Sequence, residues 1–351
     1  MTRKTHSILR ARAARFAHAD LRARAARLFV AAILLCALVP TAMAQDAVTS
    51  EAVVDTLALA ALTPEELFIR SSSAALQFAP MVQPSRRILV REYERSLPYL
   101  VTQLDTDGPR RRHALEDILV KIGEPAVEPV IEALGRELER TDTLRGARMA
   151  SSILGRLGDD RATPALDTAA GHGDWKVRSA VAGAIGRVGS ANGLPGLLRL
   201  LDDENEIVRK SSAVALRRMA AELTPPDDEV IRALAGALDD EYYHVRYSAA
   251  AALVELGADA LPALLAVAED GAGPSRLVAL SAVGRIADTS ALGALEDLLS
   301  DDDWAVRGFA AEAIGRIGTD RRTRKALSAL LAGEPHPFVI MRAGDALAPM
   351  Q

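Results

Sequence analysis

Asp303-Trp-Ala-Val-Arg-Gly-Phe-Ala-Ala-Glu-Ala-Ile-Gly-Arg-Ile-Gly318 decides the fold, because the chain has already used it once as Asp174-Trp-Lys-Val-Arg-Ser-Ala-Val-Ala-Gly-Ala-Ile-Gly-Arg-Val-Gly189. In both copies an Asp opens the stretch, and a short acceptor side chain there satisfies the free N–H groups of a first helical turn. A Gly closes it, where a helix end favours a left-handed residue. Between them the apolar residues fall on one helical face, in the earlier copy Val177, Ala180, Val181, Ala184, Ile185 and Val188. Each copy therefore reads as one amphipathic helix.

Working outward, the Arg of the Val-Arg pair serves as a register mark. Equivalent positions are Arg112, Ala147, Arg178, Arg209, Arg246, Arg276, Arg307 and Ile340, spaced 35, 31, 31, 37, 30, 31 and 33 residues apart. A period near 31 holds two helices and two turns. The partner helices are expected at 125–134, 164–170, 194–201, 230–238, 261–268, 291–299 and 326–331. Two linked helices of this size cannot bury their apolar faces alone, so successive hairpins must stack into one core. The expectation is an all-α chain, an α-solenoid of about eight hairpins. Gly also recurs mid-helix, eight after the mark, at Gly155, Gly186, Gly284 and Gly315. There it costs about 1 kcal/mol relative to Ala, which close approach by a neighbouring helix would offset.

The two stretches Asp174–Gly189 and Asp303–Gly318 resemble HEAT repeats, most closely the short HEAT-like units of phycobilin lyases. The likeness covers residues 86–349 and implies a stacked helical-hairpin fold. It implies little about function, because such folds serve many roles.

The N-terminus reads as a targeting segment. Residues 1–27 carry eight bases against Asp20, residues 28–39 are apolar, and Ala42-Met-Ala44 is a small-x-small site. The expected organisation is a signal peptide over 1–44, a linker and capping helix over 45–85, and the repeat array over 86–351. The capping helix is placed from Pro64 to about Ala79, opened by Thr63-Pro-Glu-Glu66, a capping box. Cleavage before Gln45 would leave 34 bases against 46 acids and remove the one cysteine. Such an acidic, exported chain is not expected to bind nucleic acid, which requires neutralising phosphates with Lys and Arg. No second apolar run reaches the roughly 20 residues of a membrane span, so no membrane insertion of the mature chain is expected.

No catalytic constellation emerges. His113, His172, His244 and His336 fall in different repeats without metal-ligand spacing, and none is followed by Glu, unlike the His-Glu pairs with which the HEAT-like deoxyhypusine hydroxylases hold iron. There is no phosphate-cradling Gly-Lys-Ser/Thr loop and no nucleophile elbow. Catalytic, cofactor and metal residues are therefore expected to be none, and cofactors none. Two lines are candidates for binding a protein or peptide partner. Cations nine after the mark are Lys121, Arg156, Arg187, Arg218, Arg285 and Arg316, interrupted by Glu255. Aromatics three before it are Trp175, Tyr243 and Trp304, residue types enriched in binding hot spots. Each line also has a structural reading, as helix C-terminal cations and as rings packed over the next turn. The register arginines are expected to be structural, tying adjacent turns together. The functional expectation is an exported scaffold; the alternatives are a lyase- or transferase-type HEAT-like enzyme and a nucleic-acid binder.

Overall fold

The computed structural model describes residues 58–140, 142–221 and 226–348. Residues 1–44, with the expected signal and cleavage site, lie outside them. The chain divides into two units, Met1–Ala61 and Leu62–Gln351. The described residues of the second contain eighteen α-helices and no strand.

In chain order the first six are α1 (Pro64–Ser72), α2 (Val82–Arg91), α3 (Tyr93–Leu100), α4 (Pro109–Ile122), α5 (Val127–Leu138) and α6 (Arg145–Leu157). There follow α7 (Thr163–Ala169), α8 (Trp175–Val188), α9 (Leu194–Leu201), α10 (Glu206–Met219), α11 (Asp228–Gly236) and α12 (Tyr243–Leu256). The last six are α13 (Leu261–Asp270), α14 (Pro274–Ile286), α15 (Leu292–Leu298), α16 (Trp304–Ile317), α17 (Arg321–Gly333) and α18 (Pro337–Leu347). Odd-numbered helices are the first of each hairpin and even-numbered ones the second. Each second helix packs on the second helix of the next repeat, and the first helices form a parallel layer. Within this unit the fold is the expected α-solenoid.

Local signals act where the sequence placed them. Asp174, Asn205 and Asp303 accept the backbone N–H groups of Lys176, Ile207 and Ala305 at 2.7, 3.0 and 2.8 Å. The closing glycines at 123, 158, 189, 257 and 318 all have positive φ. Val177, Val181, Ala184 and Ile185 are buried, while Ala180 and Val188 are only partly covered. Tyr243–Asp270 has the length and hydropathy of a membrane span, but Gly257 breaks it into α12 and α13, which bury their apolar faces in the array.

Two helices differ most from expectation, and α5 runs on to Leu138 where an end near residue 134 was expected. The helix expected from Pro64 to about Ala79 keeps its capping box but ends at Ser72. The hydroxyls of Ser71 and Ser72 both donate to the Phe68 carbonyl at 2.8 Å, a side-chain bond that competes with helix continuation. A 3₁₀ turn over Leu76–Met81 leads into α2. Helices α1 and α2 pair with each other, and α2 lies on α4 as one more hairpin at the head of the array. Helix α17 starts at Arg321 rather than near Ala326. Asp320 and Thr323 form a capping box with Thr, not Glu or Gln, at its third position, so the usual signature was absent.

Candidate functional site on the second-helix layer

The register arginines build one motif. Arg178 donates through Nε and Nη2 to the two carboxylate oxygens of Asp203, at 2.6 and 2.8 Å, and through Nη1 to the carbonyls of His172 and Gly173. Arg209 does the same with Asp240 at 2.5 and 3.1 Å and the carbonyls of Asp203 and Glu204. Arg307 holds Glu334 at 2.7 and 2.9 Å and the carbonyls of Asp301 and Asp302. Arg276 forks onto Asp301 and donates its Nε to the Ala268 carbonyl. The planar guanidinium matches a carboxylate in this way where an ammonium would not. Each of these arginines ties its own turn to the next hairpin's turn, as the structural reading expected. Hydrogen bonds from Arg276 and Arg307 hold the carboxyls of Asp301 and Glu334 below their usual range. Burial works against the charge of Asp240, but Arg209 and the Tyr242 N–H outweigh it and its pKa falls too.

The mid-helix glycines explain how closely the second helices approach. A Cβ on Gly155 would lie 2.7 Å from the Cα of Ala184, and one on Gly186 would lie 2.6 Å from the Cβ of Ala215. On Gly284 and Gly315 it would lie 3.0 Å from the Cα atoms of Ala313 and Ala346. Gly eight after one mark thus faces Ala six after the next. The seam lapses beside α12, where Arg217 and Val254 take the glycine slot.

Cations nine after the mark lie along this seam. Arg187 crosses over Gly155 and Arg316 over Gly284. Arg156 meets Glu116 at 3.3 Å, and Arg316 meets Glu312 at 2.7 Å. Among the described residues Arg187, Arg218 and Arg285 are exposed and have no ion pair. Burial lowers the pKa of Arg187, repulsion from Arg218 and Arg156 adds to this, and Glu116 opposes it. Arg156, Arg187 and Arg218 therefore form one electrostatically coupled row. Glu255 separates it from Arg285 and Arg316.

The aromatic candidates divide. Trp304 stacks on His336 with ring centroids 3.9 Å apart and meets the edge of Phe338, so it packs over the next turn although 45% exposed. Trp175 is 37% exposed with the Lys176 ammonium over its ring. Tyr243 is 66% exposed, and among the described residues its ring meets only the rings of His244 and Tyr247, on its own helix. Tyr242 and Tyr247 are exposed beside it. The sequence reading passed over Tyr247, although three of the five tyrosines fall in Tyr242-Tyr-His-Val-Arg-Tyr247. Tyr247 lines a small depression of about 170 Å³ with Val214, Arg217, Ser248 and Ala251, where the glycine seam is missing. A larger concavity of about 560 Å³ lies between α9 and α11, but its Arg209 and Asp240 are already paired.

Comparison with known proteins bears on the fold. The HEAT-repeats family model matches residues 131–217 and 261–348, and the PBS lyase HEAT-like repeat matches 245–270. A chain from a structure of Kap95p binding to RanGDP is 16% identical over 81% of this chain and 43% of its own length, with a TM-score of 0.52. Importin beta is 15% identical over 81% of this chain and 44% of its own, also at 0.52. This chain thus spans less than half of either. An engineered protein aligns over 84% of this chain and 97% of its own, at 19% identity and a TM-score of 0.42. No curated protein matches in sequence.

Proposed function

The chain is a HEAT-repeat protein of the short phycobilin-lyase type, and from that premise we propose that it is an exported scaffold or adaptor, not an enzyme, that holds a protein partner on its second-helix layer. The observation that carries this reading is the row Arg156, Arg187 and Arg218. Arg156 keeps Glu116 and Arg316 keeps Glu312, whereas among the described residues Arg187 and Arg218 are exposed without an ion pair and add like charges to neighbouring helices at the same register as Arg156, where they repel. An acidic partner would relieve that repulsion and be steered to it. Importin beta and the Kap95p chain share the fold, and Kap95p binds RanGDP, which supports partner binding as a use of such a surface. Export rests on the basic, apolar and small-x-small order of residues 1–44, and the mature chain is expected to start near Gln45.

The test is affinity capture from envelope extract with wild type and an Arg187→Glu/Arg218→Glu variant. The variant is expected to lose a partner that wild type releases at high salt, while its melting temperature stays within a few degrees. Equal capture by both, or a partner insensitive to salt, rejects the row as the binding surface.

A further inference from the structure

In four places a register arginine reaches forward to a carboxylate that has a second duty. Asp203, Asp240, Asp301 and Glu334 each stand two residues before the N-cap of the following second helix, and each also accepts that N-cap residue's N–H at 2.9 Å. Where the preceding mark is Ala147, the slot holds His172, whose Nδ1 accepts the Asp174 N–H at 3.0 Å and brings no carboxylate. Two hairpins depart from this pattern: after Arg112 the slot holds Asp142, which Arg140 and not Arg112 holds, and after Arg246 it holds no carboxylate at all. Arg246 keeps its bonds to the carbonyls of Asp240 and Glu241, but the corresponding slot before the Gly273 N-cap is Gly271. Its Nε is buried without a hydrogen-bond partner, which is costly for a charged group. The nearest acid in sequence, Asp270, is the exposed last residue of α13.

The aromatic slot lapses at the same turn. In the seventh repeat Trp304 stacks on His336, the N-cap of α18, beside the Arg307–Glu334 pair. In the fifth repeat the same two register positions are Tyr243 and Arg246. The turn that follows them is Gly271-Ala-Gly273, with neither a carboxylate nor a ring.

We propose that Arg246 and Tyr243, at the register positions that precede the bare Gly271–Gly273 turn, form a docking site for an acidic peptide segment of a protein partner, whose carboxylate accepts from Nη2 of Arg246, the nitrogen that is neither buried nor bonded to a carbonyl, in the place that Glu334 fills for Arg307. A flat side chain two residues after that acid would lie on Tyr243, as His336 lies on Trp304. Tyr242 and Tyr247 give the segment further apolar surface. This inference rests on the reading of the chain as a binding scaffold, but not on the Arg156–Arg218 row.

The probe is a fluorescein-labelled peptide with the chain's own sequence at 331–338, Leu-Ala-Gly-Glu-Pro-His-Pro-Phe, titrated into the intact protein and followed by anisotropy. Wild type is expected to bind it saturably, and the same peptide with Glu334→Gln roughly tenfold or more weakly, the usual worth of a charged hydrogen-bonded pair. Arg246→Gln is expected to weaken binding similarly, and Tyr243→Ala several-fold. Ala272→Glu keeps Arg246 and Tyr243 and supplies a carboxylate from within the turn, so it should compete and weaken binding too. It is preferred to Gly271→Asp, whose Cβ would fall 2.3 Å from the Val267 carbonyl oxygen. The proposal is overturned if wild type shows no Glu-dependent binding, or if both Arg246→Gln and Ala272→Glu bind like wild type. The titration does not involve Arg187 or Arg218, so its failure and a failure of the row's capture test are separate results.

Discussion

Helices α12 and α16 are both fourteen residues long and bury the same register face, yet almost every device around α16 is absent around α12. Helix α16 has an Asp N-cap, a glycine against Ala346, a cation nine after the mark and an arginine forked onto the next turn. Helix α12 begins after Tyr242 without a side-chain cap, carries Val254 and Glu255 in the two slots, and leaves Arg246 half-partnered. The difference separates what the fold needs from what it tolerates. Burial along the helix face and a closing glycine suffice to place a hairpin. The ion pairs, caps and glycine seam add stability to an array already in register, so one hairpin can surrender them.

The sharpest break in this comparison is to remove the arginine from each hairpin. Arg307→Met strands Glu334, whose side chain is only 2% exposed, and is expected to cost about 3–5 kcal/mol, as for other one-sided removals from buried pairs. Arg246→Met removes a cation that has no carboxylate and is expected to cost about 1 kcal/mol or less, through two lost carbonyl bonds partly offset by the end of an unpaired Nε. Urea titrations with hydrogen exchange read both. Similar losses would mean that Arg246 is paired in solution and would end the contrast. Acid sharpens it further. The carboxyls of Glu334, Asp301 and Asp240 have depressed pKa values when folded. Their contribution is full above the ordinary values of 4.5 for Glu and 3.8 for Asp and fades as pH falls through the depressed ones. The turns held by Asp240, Asp301 and Glu334 should therefore loosen in acid before the Gly271–Gly273 turn that follows α12, which has no such carboxylate, and Glu334→Gln should remove part of that dependence.

The glycine seam gives a smaller effect. Gly186→Val puts methyl groups where a Cβ alone would already approach Ala215 to 2.6 Å, so α8 and α10 must separate, at about 1–3 kcal/mol. Gly236→Ala in α11 meets nothing within 4 Å and is expected to be neutral or to stabilise by up to about 1 kcal/mol, the ordinary helix preference for Ala. If Gly186→Val were equally harmless, the seam would be spacing rather than contact.

Much of this was legible because a repeat turns sequence recurrence into spatial alignment. The hairpin period, the Asp and Asn caps, the closing glycines and the glycine seam were all readable from register alone, as was the pairing of register arginines with the next turn's acids. The binding candidates were less legible, because the same register position meets different neighbours in different hairpins. Trp304 and Tyr243 share a slot, but only Trp304 has a ring to stack on. Arg316 and Arg218 share another, but only Arg316 has a carboxylate. Ser71 and Ser72 ended α1 through bonds to one carbonyl, a local competition that apolar periodicity does not register.

The least of the expected effects concerns the end of α14, the next second helix after α12. Five other second helices close on a glycine with positive φ eleven after the mark, but α14 closes on Ala287 at φ 58° and ψ 37°. That is the left-handed region, where a Cβ crowds the following carbonyl at a cost of about 1–2 kcal/mol. The Ala287 N–H still bonds the Val283 carbonyl at 3.2 Å, so the cap geometry is retained and the strain is carried by one residue. Ala287→Gly removes the crowding but loosens the unfolded chain, and the two together should leave a gain of roughly 0.5–1 kcal/mol. The reciprocal Gly189→Ala, at φ 76° in α8 with nothing within 4 Å of the new methyl, should lose a similar amount for the same backbone reason. Thermal melts of the two variants against wild type should therefore move in opposite directions by a degree or a few. If Ala287→Gly melts no higher than wild type while Gly189→Ala melts lower, then α14 ends with a backbone other than the left-handed one, and the turn from α14 to α15 is built differently from its counterparts.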